Sequence, residues 1–290
     1  MWNQVKTLVF LASLTALFLW LGHALGGQAG VVVALLLAAV MNFGVYWFSD
    51  RIVLRMYNAE EIGPGHAPEL YATVQDLAMR AELPMPKLYI ISEGAPNAFA
   101  TGRNPRHGSV AVTQGLLSML NPEEIRGVIA HELGHIRNRD TLIMTIAATV
   151  AGALSHVANL ALWSTVLGGT HHSEDEEHGH PAGGLLAMLI APVIAVMIQM
   201  AISRSREFLA DETAARTSGN PLGLASALRK LEYARDRIPM QQGSPALAHL
   251  FIVNPFTGAG FVKLFSTHPS TEDRIARLES MVLQRAPVAV

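Results

Sequence analysis

Between Thr7 and Ser49 the chain carries no Asp, Glu, Lys or Arg. A helix needs about 20 apolar residues to cross the hydrocarbon core of a bilayer, so this one stretch accommodates two crossings. The Gly-rich segment "GHALGGQAG" (22–30) interrupts it and predicts spans near 7–24 and 30–48. Trp2, Trp20, Tyr46 and Trp47 fall near the span ends, where amphipathic rings favour the membrane–water boundary. A cleaved signal peptide fits less well, because only Lys6 precedes the first apolar run and a second run follows at once. Two more uncharged stretches, 141–167 and 183–203, predict a third and a fourth span. His156, Asn159, Pro192 and Gln199 inside them are tolerated where they face other helices or water. Only 15% of the residues are charged, against roughly a quarter in soluble domains.

The basic residues set the expected orientation. Of 21 Lys and Arg, Lys6 precedes the first span, nine lie between 50 and 140, and eleven follow 203. Neither connecting loop has any, and the second, "GGTHHSEDEEHGHPAG", is acidic and His-rich. Positive residues stay on the cytoplasmic side. Both termini and the segments 50–140 and 204–290 are therefore expected in the cytoplasm, and both loops outside. The plan is four parts: 1–49 (two spans), 50–140 (first catalytic part), 141–203 (two spans) and 204–290 (second catalytic part). A net charge of −2 argues against nucleic acid as a partner. With no cysteine, any metal site must use the twelve histidines and the carboxylates.

The water-soluble parts read as mainly α with a small β-sheet. A helix is expected over 66–82, and strands over 87–92 ("KLYIIS") and 108–113 ("GSVAVT"). A further helix begins at Asn121 as cap, with Pro122 first and Glu123 and Glu124 in its first turn. Helices are expected near 204–218, 221–236 and 271–284, and the Pro- and Gly-rich stretch 238–270 reads as irregular.

The chemistry lies in "HELGH". His131 and His135 are four apart, so on a helix they share one face and can grip one zinc ion. Glu132 then sits beside the remaining coordination position, where it can take a proton from a water acidified by the metal. A catalytic zinc needs a third protein ligand. The candidates are Glu207, Asp211, Glu212, His249 and His268. Glu207 follows directly on the fourth span, at the level where the HELGH helix meets the third. Asp211, four residues on, faces the same way and can accept the outer N–H of a ligating histidine.

Four stretches, "PNAFATGRNPRHGSVAVTQGLL" (96–117), "HELGHIRNRD" (131–140), "SREFLADETAA" (205–215) and "HPSTEDRIARL" (268–278), resemble those of the HtpX-type membrane zinc metalloproteases. These bacterial heat-shock proteases are relatives of the CAAX prenyl endopeptidase and the mitochondrial metalloprotease Oma. The resemblance covers nearly the whole chain. It implies a four-span protein of the bacterial inner membrane with a cytoplasmic gluzincin-type domain and one Zn2+ per chain. It makes Glu207 the third ligand, Asp211 a support behind the ligands, and Asn97 and Ala98 the edge-strand residues that bind substrate backbone. His268 and Arg274 would support the site and the oxyanion. The expected substrates are misfolded or damaged membrane proteins, or unfolded polypeptides, at the lipid bilayer. Two other readings stay open: a processing protease for lipidated or secreted peptides, and a zinc-handling membrane protein that collects metal on the loop at 171–180.

Overall fold

The computed structural model describes residues 2–152, 204–240, 245–254 and 269–283. The fourth expected span, the third beyond residue 152, the loop at 171–180 and His268 lie outside the described residues.

Helix α1 (Trp2–Met56) bends at Gly26 and Gly27, and Gly27 has φ 55°, which a glycine adopts without steric cost. The two arms fold back on each other. A Cβ on Gly30 would stand 2.0 Å from the Gly22 carbonyl oxygen, although eight residues along a straight helix span about 12 Å. Asn42 Nδ2 donates to Thr15 Oγ1 across the hairpin at 2.8 Å. The second arm, Gly26–Met56, is the one helix among the described residues long and apolar enough to cross a membrane. At 1.5 Å per residue its 31 residues reach about 46 Å. It therefore passes the expected end near residue 48 and carries Arg51 and Arg55 beyond an apolar core of about 30 Å. Its outer face exposes Val32, Val33, Leu36, Val40 and Phe43, an apolar stripe suited to lipid. Val5–Trp20 and α5 (Thr141–Gly152) are shorter apolar helices. Of the four spans expected, one is thus met at full length among the described residues. Ile146 and Val150 of α5 pack against Phe10, Leu14 and Val45 of the hairpin. Thr145 and Thr149 return their hydroxyls to the carbonyls four residues back, which satisfies them in apolar surroundings.

The rest is mainly helical around a four-stranded mixed sheet of order β1-β2-β4-β3. The strands are β1 (Glu60–Ile62), β2 (Lys87–Ile91), β3 (Ala98–Thr101) and β4 (Ser109–Thr113). β2 and β4 run parallel in the register Leu88↔Val110, and the outer pairs are antiparallel. Around the sheet lie α2 (Pro68–Arg80), α3 (Gln114–Met119), α4 (Pro122–Arg137), α6 (Arg204–Ser218), α7 (Pro221–Arg235) and α8 (Thr271–Leu283). The period of two in β4 divides two cores. Val110 and Val112 join Val74, Ile129, Leu133 and Leu228 on one face, and Ala111 joins Tyr57, Ile91, Phe99 and Phe251 on the other. β4 is buried on both faces, so its side chains are small or apolar throughout.

Helix α4 is central, and small residues let its neighbours approach. A Cβ on Gly134 would lie 3.1 Å from the Ala210 carbonyl oxygen of α6, and one on Gly127 would lie 2.6 Å from the Leu224 nitrogen of α7. Gly127→Ala must push α7 away. It is expected to cost about 1–3 kcal/mol, read as a lower thermal midpoint in detergent. An unchanged midpoint would mean that α7 shifts freely.

Candidate metal centre

The start of α4 is fixed by a capping box: Asn121 Oδ1 accepts from the Glu124 N–H, and Glu124 Oε2 from the Asn121 N–H, both at 2.9 Å. Lys230 and Ser226 of α7 add 2.8 and 2.7 Å bonds to the same carboxylate. That registry places His131, Glu132 and His135 at the crossing with α6. Glu207 in the first turn of α6 completes the cluster. Nε2 of His131 and Nε2 of His135 are 3.2 Å apart, and the Glu207 oxygens stand 3.8 and 3.6 Å from them. None of the three residues is more than 4% exposed. Zinc bonds of about 2.0–2.1 Å in a tetrahedron require donors about 3.3 Å apart. The cluster therefore fits a zinc-sized ion, and the family of donors is the one zinc takes. Among the described residues this is the one group of three or more such side chains with metal-site spacing.

Each histidine is turned by a carboxylate behind it. His131 Nδ1 lies 2.9 Å from Asp211 Oδ1. His135 Nδ1 lies 3.3 Å from Asp140 Oδ2. Both Nε2 atoms are thereby left facing Glu207. Asp140 reaches back because α4 ends in a tight turn: Arg139 adopts φ 59°, and the Asp140 N–H donates to the His135 carbonyl at 3.0 Å. The HELGH helix therefore does not run straight into α5. Asp140→Asn and Asp211→Asn are each expected to weaken zinc binding by about 10–100-fold, measured by competition with a chromogenic chelator. Wild-type affinity in Asp140→Asn would make that contact incidental.

Arg274 of α8 holds the back of the cluster. It pairs bidentately with Asp211 (Nε–Oδ2 2.9 Å, Nη2–Oδ1 2.7 Å) and donates to the Ile252 carbonyl at 2.9 Å. Its Nη1 is 3.7 Å from Glu207. So arranged, Arg274 orients Asp211 and Glu207. The opposed charges of Asp211 and Glu207 raise its pKa against the effect of burial. Burial pushes the Glu132 carboxyl up to about 7, with the Glu207 charge acting in the same sense and a hydrogen bond from the Ala100 backbone N–H opposing it. Burial, with Arg274 beside it, pushes His131 down to about 4. Burial also disfavours the charged form of His135, but the Glu207 and Asp140 carboxylates outweigh it and raise that imidazole to about 9. A divalent cation among these groups would lower all three, since it repels protons.

Of the five candidates for a third ligand, Glu207 is the one grouped with the histidine pair. Asp211 stands behind His131. Glu212 is half-exposed and pairs with Arg216 at 2.5 Å. His249 donates to the Met144 carbonyl at 3.1 Å. Asn97 and Ala98 lie at the start of β3 and are both buried; the strand reaches the site at the Ala100 N–H, which bonds Glu132. The edge of β3 is covered by residues 251–253: the Ile252 N–H donates to the Ala98 carbonyl at 3.3 Å, and Asn97 Nδ2 to the Val253 carbonyl at 2.8 Å. Sequence reasoning missed Asp140, the Ala100 N–H and this covering segment. Only Asp140 left a signal, a carboxylate at the end of the HELGH helix.

The chain is similar to known proteins over most of its length. The profile of peptidase family M48 matches residues 64–282. A "Protease HtpX homolog" of Syntrophobacter fumaroxidans is 53% identical over 285 residues, covering 97% of this chain and 100% of the relative. Another from Desulforapulum autotrophicum is 56% identical over 279 residues, covering 96% and 90%. The crystal structure of S. mikatae Ste24p aligns with a TM-score of 0.49 at 17% identity, over 96% of this chain and 65% of Ste24p. The matched span holds α4, α6 and most of α8, and the sequence relatives extend through the apolar hairpin; this chain belongs to peptidase family M48 and is a membrane metalloprotease.

Proposed function

We propose that the chain is a zinc endopeptidase of the bacterial inner membrane that cleaves misfolded or damaged membrane proteins in stress quality control. The observation that carries the chemistry is the convergence of two imidazoles and one carboxylate at tetrahedral spacing, with Glu132 alongside. His131, His135 and Glu207 would hold the metal. When bound, a zinc ion there supplies Lewis acidity to the scissile carbonyl and lowers the pKa of a neighbouring water. Glu132 takes that water's proton and passes it to the leaving amine. Asp211 and Asp140 fix the histidine tautomers. Arg274 positions Asp211 and Glu207 and supplies positive charge at the rear of the site. The late histidine, His268, is assigned to supporting the site and the oxyanion by the family resemblance alone. Zinc analysis of the detergent-purified chain, with casein cleavage before and after chelation, tests this. We expect one zinc per chain, with activity lost on chelation and restored by zinc; activity that survives complete zinc removal would end the reading.

Substrate backbone pairs with β3 at Asn97 and Ala98 as an added strand. Since 251–253 covers that edge, cleavage requires this segment to give way. A disulfide between A98C and I252C in this cysteine-free chain is expected to stop proteolysis until it is reduced. Full activity in the cross-linked protein would place the substrate elsewhere.

Four spans with both termini and the catalytic parts in the cytoplasm complete the proposal. The hairpin of α1 and the start of α5 at the catalytic face support it, as does the distribution of Lys and Arg. Membrane-impermeant maleimide added to intact spheroplasts should label D175C and leave S118C unlabelled. The reverse pattern would invert the orientation.

A further inference from the structure

Where the helical hairpin joins the catalytic part there is a cavity of about 400 Å³, and its two walls differ. The helix side is mostly apolar: Leu8 and Leu11, beside Thr7, from the start of α1, Tyr46 from its second arm, and Leu142 from α5. The other side presents Arg103 and Arg139. Asn104 and Arg139 also line a neighbouring cavity of about 550 Å³, where Arg106 and Arg137 join them and Glu82 is the single acid. The loop 103–106 and the end of α4 with the turn after it (137–139) thus bring four arginines to two adjoining cavities in a chain whose net charge is −2. Among the described residues none of these four guanidiniums is in an ion pair; the paired arginines are others. Arg103 lies over the Trp47 ring, 4.7 Å from its centroid, a placement typical of a membrane boundary. Arg139 is held at φ 59°, just past the end of α4, where glycine is the usual residue. A side chain kept at a strained backbone position points to use of the side chain.

We propose that this groove binds the phosphodiester headgroup of an anionic phospholipid, with Arg103 and Arg139 on the phosphate and an acyl chain along Leu8, Leu11 and Leu142. Guanidinium forks match phosphate oxygens in bidentate geometry, and basic pockets beside membrane helices favour acidic headgroups. The apolar wall selects a lipid over a soluble anion. The unpaired arginines select an acidic headgroup over a zwitterionic one, whose ammonium they would repel. The inference rests on the reading that the hairpin lies in a bilayer with this end at the cytoplasmic leaflet.

The test is calorimetric titration of the full chain in non-ionic detergent with dioctanoyl phosphatidylglycerol, dioctanoyl phosphatidylcholine and inorganic phosphate. We expect saturable binding of one phosphatidylglycerol per chain, phosphatidylcholine weaker by ~10-fold or more, and no displacement by inorganic phosphate at matched concentration. Arg139→Gly relaxes the left-handed backbone, so it removes the guanidinium without unfolding the turn. That variant and Arg103→Gln should each weaken phosphatidylglycerol by ~10-fold or more, while the charge-matched single variants Arg80→Gln and Arg216→Gln should not. Equal binding of the two lipids, or equal loss in either control, overturns the site. Displacement by inorganic phosphate overturns the lipid assignment in favour of a free-anion site. Peptidase activity is not read, so a negative result leaves the metal centre standing, and the maleimide labelling tests the orientation separately.

Discussion

Glu132→Gln is expected to keep one zinc per chain and to lose peptide hydrolysis by about 10²–10⁴-fold, the range that a positioned proton-transfer group contributes. The substitution preserves shape. Glutamine can still accept the Ala100 N–H through its amide oxygen, so β3 keeps its place beside α4. What is lost is the ability to take and return a proton. Glu132 is outside the group of His131, His135 and Glu207, so metal content should not change. Stability should not fall either. The native carboxyl is 1% exposed, and burial pushes it up toward 7 against the pull of His135 and Arg274. Removing a buried ionisable group relieves that desolvation, so the thermal midpoint should hold or rise, as expected where activity is maintained against stability. Full activity in Glu132→Gln would remove Glu132 from the mechanism. Loss of zinc together with activity would make Glu132 part of the ligand set instead.

How much of this centre is legible in the sequence depends on how local each piece is. The α4 half is local. An Asn-Pro start, two glutamates in the first turn and two histidines four apart define a helix face, and the structure has that helix at Pro122–Arg137 with Asn121 as cap. The helical hairpin is nearly as plain, because the uncharged run and its Gly-rich break are both local; the bend falls at Gly26 and Gly27. Glu207 is different. Its approach to the histidines depends on the crossing of α4 and α6 at Gly134 and Ala210, a tertiary contact. From the residues alone Glu207 stayed one of five candidates until the likeness of "SREFLADETAA" to a known family singled it out.

Asp140 was hidden for a local reason of another kind. It lies five residues after His135, a spacing that a straight helix would turn away from the ligand face. Only the left-handed backbone at Arg139 returns it, and an arginine there hides the usual glycine sign of a helix stop. β1 is three residues, Glu-Glu-Ile, too short to show alternation. The segment that covers β3 falls in the Pro- and Gly-rich stretch read as irregular. Its role comes from two backbone carbonyls and one N–H, and side-chain pattern carries no record of those.

Glu207→Ala should lose zinc affinity by more than ~100-fold, because changes one shell further from a metal already cost about 10–100-fold. Two neutral imidazoles alone are a poor match for a divalent ion. The substitution also removes the carboxylate that faces both Nε2 atoms and lies 3.7 Å from Arg274. What remains around the position is His131, His135 and the buried Arg274 cation, with Asp211 already committed to that arginine. The local field then opposes a cation that it favoured before. Glu207→Gln separates charge from shape: it keeps the oxygen donor, loses the negative charge, and should fall between wild type and Glu207→Ala. Glu212→Ala, on the same helix but paired outward with Arg216, should bind zinc as wild type does. Unchanged zinc in Glu207→Ala would move the third ligand to another residue and break the link between α4 and α6 on which the centre is built. Weakened binding in Glu212→Ala to the same degree would instead assign the loss to α6 as a helix, and Glu207 would no longer be singled out as a ligand.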